Sequence, residues 1–382
     1  MSKIRITEIK YREFKDIVRV SSSIKIDDNK HKLWYRMPKE FFNFEQAQSA
    51  FFLSMFPACL SIGGELTIDG VVSPKLLSNI PTIENILKSW FPRRFKNELK
   101  INSKELMINN SPSKKKVGCF FTAGIDSMST FLQHKDEIDY LIYVHRFIEP
   151  KEIEYKRKQK VENIKKVAKL YGKEVIEIMS NVAIFSHDYV NWTSQSHGAI
   201  FASMAIMLSQ KIGKFYFASS NPYETLVPYA SHPALDYLFE VEDMRFIHDG
   251  AEFKRIQKCR NIGKYPETLK HVDFGCTGKQ CRKAYKCIRS LLNLDLAGVW
   301  KQATLCRGHG YTAKEFEEAI IPSETDYFKA LENYKELANH PDKEDIRRAI
   351  RISIDRYKKK RRDARLEWKL TDNKLIHNKW KK

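Results

Sequence analysis

Residues 122–127 read Thr-Ala-Gly-Ile-Asp-Ser and combine the side chains that a phosphate site needs. They follow a short apolar run, residues 117–121, and precede a segment of helical character from Ser127. Backbone N–H groups at a helix N-terminus, together with the helix macrodipole, hold phosphate without a lysine. The hydroxyls of Thr122 and Ser127 can bond phosphate oxygens, and Asp126 can position Mg²⁺. The spacing fits neither a Walker A loop nor a G-x-G-x-x-G dinucleotide loop.

Histidines and carboxylates further along the chain are the next candidates. His197 and His248 lie at the ends of predicted helices or strands, where each is either a substrate ligand or a structural histidine. Asp236 and Asp249 can serve an amine nucleophile as a base or a positioning group. Helix capping and turn formation explain these two aspartates equally well.

The elements that would position these residues alternate in type from Val117 onward. Strand-like runs at 117–121, 138–144, 174–179 and 214–220 are separated by amphipathic or apolar helical segments. This alternation predicts an α/β fold with a parallel sheet and right-handed crossovers. Ligands bind beyond the carboxyl ends of the strands in such sheets, and residues 122–127 lie at one of these ends.

The regions on either side of this alternation differ from it in character. Residues 1–112 alternate apolar and polar side chains with a period of two, which predicts a β-rich N-terminal domain with helices near residues 45–56 and 81–91. Turn formers and lysines at 109–116 favour a linker. Residues 301–382 predict a helical, basic extension, whose Lys/Arg run at 358–362 is either a solvated helix face or a contact for RNA or an acidic protein. The intervening domain spans residues 113–300.

Composition limits the class of protein. The 382 residues carry a net charge of +20, which favours acidic partners such as nucleic acid, nucleotides or an acidic protein. The N-terminus lacks the apolar core of a signal peptide, and the longest apolar run, at 51–64, is too short to span a bilayer. The seven cysteines are scattered. We therefore expect a cytoplasmic protein that does not enter a membrane, with reduced thiols or metal-bound cysteines.

The segment Thr122–Ser127 resembles the S-G-G-x-D-S signature of the PP-loop (N-type) ATP pyrophosphatases, with Thr122 in place of serine and Ala123 in place of glycine. Threonine keeps the hydroxyl, but alanine suits the position only if the backbone there does not need a positive φ. Blocks at 214–239 and 253–276 are similar in layout to the 7-cyano-7-deazaguanine synthase (QueC-like) family, and the resemblance covers about residues 117–295.

The resemblance implies roles for particular residues. ATP would be bound by Thr122, Ala123, Gly124, Asp126, Ser127 and Val144, with Mg²⁺ at Asp126. Arg255 would join Asp126 and Ser127 in catalysis. The nucleobase would be bound by Asn221, Glu224 and His232, and the candidates His197 and Asp236 would add further contacts to it.

The family also carries a structural zinc site of four cysteines. This chain keeps Cys276, Cys281 and Cys287 but has Ala284 at the remaining position. Three thiolates still bind Zn²⁺ if a fourth ligand comes from elsewhere, with Cys259, His271, Cys306 and His309 as candidates. The alternative is that these are ordinary buried thiols.

The implied activity is an ATP-dependent ligase that forms AMP and pyrophosphate. It would activate the carboxylate of a 7-deazaguanine-like base and transfer the base to a nitrogen nucleophile, either ammonia or the amino group of a protein. Family members of antiphage defence operons resemble this chain in having an extra N-terminal domain, for which docking of a partner protein is the implied role. Two alternatives stay open: a PP-loop enzyme that modifies tRNA, for which no C-x-x-C sulfur relay is present, and a silent nucleotide-binding subunit.

Overall fold

The computed structural model describes residues 2–105, 115–145, 151–274, 284–306 and 310–379. The chain forms two compact units, Met1–Glu252 and Phe253–Lys382. The expected boundary at residue 112 lies outside the described residues, and the expected domains stay a prediction. The first 105 residues and the strands that follow share one unit because they share one sheet.

The first unit is built on a sheet of 11 strands among the described residues. Its order is β11-β10-β7-β8-β9-β4-β3-β1-β5-β6, with β2 paired to β3 beside β1. The strands are β1 (Lys3–Ile6), β2 (Lys10–Phe14), β3 (Ile17–Ile26), β4 (Asn29–Pro38), β5 (Gly64–Val72), β6 (Leu99–Glu105), β7 (Lys116–Phe120), β8 (Tyr140–His145), β9 (Glu174–Ser180), β10 (Ile212–Ala218) and β11 (Arg245–Asp249).

Strands β7–β11 form a parallel array, as the alternating pattern predicts. Each pair of neighbours in the order β11-β10-β7-β8-β9 is parallel. The earliest strand, β7, lies in the middle, and the chain moves first to one side of it and then, from β10, to the other. The side on which successive strands are added therefore changes between β7 and β10. Open α/β sheets bind ligands at such a topological switch point. The α/β class is therefore confirmed.

The N-terminal strands extend this array instead of forming a separate sheet. Strand β4 pairs antiparallel with β9, Tyr35 opposite Ser180 and Arg36 opposite Met179. The junction is reinforced by side chains, since the Trp34 N–H donates to Asn181 Oδ1 at 2.8 Å and Ser180 Oγ donates to the Trp34 carbonyl at 2.7 Å. The outer edge of β9 is thereby covered along these residues.

The described residues of the first unit include six α-helices: α1 (Ala47–Ile62), α2 (Pro74–Trp90), α3 (Ile125–Gln133), α4 (Lys151–Leu170), α5 (Val182–His187) and α6 (His197–Met207). Helices α1 and α6 pack against each other and are buried almost all round. The apolar run at 51–64 is therefore largely a core helix. None of the described helices has the length and apolarity that a bilayer crossing requires.

The second unit is helical. Its helices are α7 (Arg255–Gly263), α8 (Pro266–Leu269), α9 (Tyr285–Leu296), α10 (Ala313–Glu318), α11 (Glu324–Glu336) and α12 (Glu344–Lys379). Apolar residues of α7 and α9–α12, among them Ile256, Leu292, Phe316 and Ile350, form one core. Residues 358–362 of α12 are exposed.

Candidate functional site

The loop after β7 closes on itself through the hydroxyl of Ser127. The Thr122 N–H donates to Ser127 Oγ at 3.2 Å, and Ser127 Oγ donates to the Gly124 carbonyl at 3.2 Å. Gly124 is also the N-cap of α3, and its carbonyl accepts the Met128 N–H at 2.9 Å. These bonds fix the turn that carries the chain from β7 into α3.

The geometry of this turn suits an anion. Helix α3 begins at Ile125, so the amides of its first turn have no acceptor within the helix and carry the positive end of the macrodipole. Thr122 is exposed, while Asp126 lies half-buried in the first turn. A carboxylate beside such a turn has the chemistry to hold Mg²⁺ next to a phosphate group. The site therefore fits a nucleotide polyphosphate together with its metal.

Ala123 has the backbone conformation that the sequence analysis treats as unfavourable. Its φ is +55°, in the left-handed region, and its side chain is fully buried. An L-residue there costs roughly 1–2 kcal/mol relative to the right-handed region. The position thus requires the positive φ for which glycine is the usual residue, and this chain keeps the turn with alanine.

The neighbouring loop, after β10, is held by backbone bonds to β11. The Ser219 N–H donates to the Asp249 carbonyl at 2.7 Å, and the Tyr223 N–H donates to the Ala251 carbonyl at 2.7 Å. Asn221, a predicted base ligand, is 5% exposed. Glu224, another, is exposed on the short 3₁₀ helix at 223–225. Because β10 pairs with β7, this loop and the Thr122–Ser127 turn lie at neighbouring strand ends.

Asp236 is the centre of a buried network. Its side chain is fully buried. One carboxylate oxygen, Oδ1, accepts the His232 N–H at 3.2 Å. The other, Oδ2, accepts the Ser231 hydroxyl at 2.8 Å and lies 2.7 Å from His248 Nδ1. Three predicted residues are therefore brought together at the end of β11. Since both oxygens of Asp236 are occupied, the carboxylate in this structure positions the other side chains. The direct substrate contact expected for it stays a prediction.

The histidines around this network have aromatic neighbours. The ring centroids of His232 and Trp90 are 4.8 Å apart. Burial, followed by the nearby His248, lowers the pKa of His232, so this ring is held in its neutral form at neutral pH. His197 starts α6, its Nδ1 lies 3.1 Å from the Trp192 carbonyl, and its ring lies 5.0 Å from that of Tyr229.

Gly198 allows this approach of α6 to the loop. A Cβ at Gly198 would lie 1.9 Å from the Ala230 carbonyl oxygen, a clash with backbone that cannot rotate away. The absence of a side chain lets His197 and the segment that contains Tyr229 and His232 come together. The structure thus places His197 against Tyr229, three residues before the predicted base ligand His232.

A second, partly buried pair escapes the sequence reasoning. His134 Nε2 lies 2.7 Å from Asp249 Oδ1, and its ring stacks on Tyr216 with centroids 4.3 Å apart. His134 is the C-cap of α3, so this pair ties the far end of the helix to β11. Asp249 is 8% exposed. Nothing in the local sequence around His134 indicates the pairing, which depends on the order of the strands.

Val144 and Arg255 are the remaining predicted site residues. Val144 is half-buried near the end of β8. Arg255 belongs to the second unit and is 7% exposed. Its Nη2 donates to Ser290 Oγ at 3.3 Å, and its backbone N–H donates to Glu332 Oε1 at 3.1 Å. Burial raises the pKa of Glu332. The catalytic role of Arg255 stays a prediction.

The predicted zinc site falls largely outside the described residues. Cys276, Cys281 and His309 are not described, and Cys287 is buried on α9. Across the described segments, no group of three or more His, Cys, Asp or Glu side chains could hold a metal ion. Since two of the three predicted ligands are not in those segments, bound zinc stays a prediction.

Comparison of this chain with protein-family models, with curated proteins and with solved structures finds no match in any of the three.

Proposed function

We propose that the first unit binds ATP at the turn after β7 and uses it to activate a carboxylate, with release of pyrophosphate. The observation that carries this proposal is the turn's position. A phosphate-binding geometry, with Asp126 in the first turn of α3, lies at the carboxyl end of the central parallel strand, next to the switch point.

The chemistry needs few acid–base groups. An oxygen of the substrate carboxylate attacks the α-phosphorus of ATP, the bond to the bridging oxygen of the β-phosphate breaks, and pyrophosphate leaves. A nitrogen nucleophile then attacks the carboxyl carbon, AMP leaves and the nitrogen loses a proton. Mg²⁺, when bound, would neutralise charge on the phosphates, and Asp126 is the residue that would hold it. The α3 amides and the Thr122 hydroxyl would hold the phosphates in place.

For the activated molecule we propose a carboxylated 7-deazaguanine-like base. The resemblance of the motifs suggests this substrate. The loops between β10 and β11 supply an amide at Asn221, a neutral imidazole at His232 and the ring of Tyr229, and α2 adds the Trp90 ring beside His232. Flat rings with polar edges bind to such combinations of aromatic faces and hydrogen-bonding groups.

The test is nucleotide analysis of the full chain incubated with Mg-ATP and ammonium, with and without 7-carboxy-7-deazaguanine. We expect AMP and pyrophosphate to appear only when the base is present. Asp126→Asn should lower the rate about 10²-fold, the scale for loss of one charge-stabilising group. The matched control is Asp136→Asn, which removes the same charge from a carboxylate that is 93% exposed just beyond the same helix.

Other outcomes would contradict parts of the proposal. ATP binding without AMP under any of these conditions would refute the base as substrate and favour another acceptor such as tRNA. Failure to bind ATP at all would refute the nucleotide site and favour a silent subunit. An equal loss of rate in Asp126→Asn and Asp136→Asn would remove Asp126 from the mechanism.

A further inference from the structure

The N-terminal half of the sheet has an outer face on which cations are concentrated. Along β3 the residues Val18, Val20 and Ile24 are buried, while the alternate residues Arg19 and Lys25 point to the opposite face and are exposed. We call the outer surface of β1–β4 the basic face. Its charged side chains are exposed along all four strands: Arg5, Lys10, Arg12, Arg19, Lys25, Lys30, Lys32 and Arg36.

The strand register aligns these cations in two rows. Arg12 of β2, Arg19 of β3 and Arg36 of β4 are directly opposite one another. Six residues further along β3, Lys25 lies between Arg5 of β1 and Lys30 of β4. Like charges directly opposite on adjacent strands destabilise a sheet. Two such rows on one open face therefore need an anionic partner to offset the repulsion.

The protein itself supplies little of that negative charge. Arg5 pairs with Asp69 at 2.8 Å. Within the described segments no carboxylate forms an ion pair with the other five members of the rows: Arg12, Arg19, Arg36, Lys25 and Lys30. The second row opens into a cleft of about 970 Å³, which Lys10, Lys32 and Lys104 also line. Its wall also includes the hydroxyl groups of Thr7, Ser21, Ser23 and Thr67 and two carboxylates, Glu8 and the Asp69 that pairs with Arg5.

The first row adds aromatic rings to the cations. The Arg19 guanidinium lies 4.8 Å from the centroid of the Trp34 ring, and the Arg12 guanidinium lies 5.6 Å from that of Phe14. Phe14 is 47% exposed. Nucleobases stack on aromatic rings and on guanidinium planes, and arginine matches phosphate geometry with two parallel hydrogen bonds.

We propose that the basic face binds single-stranded nucleic acid, with phosphates on the two cation rows and a base stacked at Phe14 or on the Arg19–Trp34 pair. The rows are separated by about 20 Å at roughly 3.3 Å per strand residue, a distance that several nucleotides span. The exposed Phe14 ring and the Arg19–Trp34 pair favour a ligand with flat bases over an acidic peptide, which would use the cations alone. The proposal does not depend on the ATP chemistry.

The experiment is fluorescence anisotropy of labelled 12-nucleotide RNA and DNA strands of mixed sequence with the full chain, across a salt titration. The test variant is Arg19→Ser with Lys25→Ser, one cation from each row. The matched control is Lys358→Ser with Lys360→Ser, which removes the same charge from exposed positions of α12. Thermal unfolding of both variants checks that they fold.

We expect the wild type to bind at least one of the two strands. The row variant should bind it at least tenfold more weakly, and the slope of log K against log salt should fall by about 0.7 for each lost phosphate contact. The control should stay within twofold of the wild type. Phe14→Ala should weaken binding at least fivefold with an unchanged salt slope, because it removes stacking and no charge.

Three results would overturn the proposal. One is equal weakening by the row variant and the α12 control, which would mean that general charge attracts the strand. Another is that a polyglutamate peptide competes for the site as well as RNA does and that the row variant binds both ligands equally weakly. The partner would then be an acidic protein. The third is no binding of RNA or DNA at low salt.

Discussion

The left-handed backbone of Ala123 predicts an unusual response to glycine. Replacing a buried alanine in a helix or strand by glycine lowers the free energy of unfolding by about 0.5–1 kcal/mol through backbone entropy. The loss of the buried methyl group lowers it by about 0.8 kcal/mol more. At Ala123 the same substitution also relieves the roughly 1–2 kcal/mol cost of a positive φ. We therefore expect Ala123→Gly to change the free energy of unfolding by less than about 1 kcal/mol.

The control for this prediction is Ala202→Gly in α6, another fully buried alanine of the first unit. Ala202 lies in a regular helix, where glycine relieves no backbone strain, so this substitution should lower the free energy of unfolding by about 1.5–2 kcal/mol. Ala123→Val should lose more than either glycine variant, since a β-branched residue tolerates a positive φ least and the site is closely packed. The measurement is urea unfolding at 25 °C, followed by far-UV circular dichroism. If Ala123→Gly loses as much as Ala202→Gly, the positive φ is not a strained feature of this turn.

Three further predictions concern packing and pH. Gly198→Ala should destabilise the first unit and weaken base binding, because the new Cβ would lie 1.9 Å from the Ala230 carbonyl oxygen. The measurement is thermal unfolding, and the control is Gly310→Ala, whose new Cβ has no atom within 4 Å. Arg289→Met should lower the free energy of unfolding in urea by about 1–3 kcal/mol, because the partly buried Asp326 carboxylate loses one charged partner but keeps the Ser323 hydroxyl. Burial, the largest single effect, raises the pKa of Asp326, but Arg289, Lys329 and the Ser323 hydroxyl together outweigh it and the net pKa is lowered. The wild type should thus lose this stabilisation only as pH falls below about 4. In Arg289→Met this acid-dependent loss should shrink, because the folded state no longer favours the ionised carboxylate to the same extent.

The features that the sequence predicts well are local ones. Residues 122–127 stand out because an apolar strand, small residues, hydroxyls and a helix start follow one another directly, and the structure has a turn into α3 there. Strands β7–β10 and the buried helix α6 are also recognisable from their own composition. In each case the interactions that determine the element lie within about a dozen residues.

The features that the sequence does not reveal depend on pairing between distant segments. Strand β4 escapes detection because its exposed half, from Asn29 to Lys32, carries polar and charged residues without a clear alternation. Its junction with β9 joins residues about 145 positions apart, so a separate N-terminal domain is the natural expectation from sequence. The Asp236–His248 contact likewise needs β11 in place beside β10.

The direction of the strands connects the two proposed sites. Strand β4 is antiparallel to both β9 and β3, so β3 runs in the same direction as the parallel strands β7–β11. Tyr35 and Arg36 pair with the last residues of β9, so the earlier residues of β4 continue past the end of that strand. The row that contains Lys25 and Lys30 therefore lies at the same edge of the sheet as the turn after β7, the edge formed by the carboxyl ends of the parallel strands. A nucleic acid strand held along β3 would have one end directed toward the edge where ATP is proposed to bind, which gives the N-terminal strands a physical reason to belong to the same sheet.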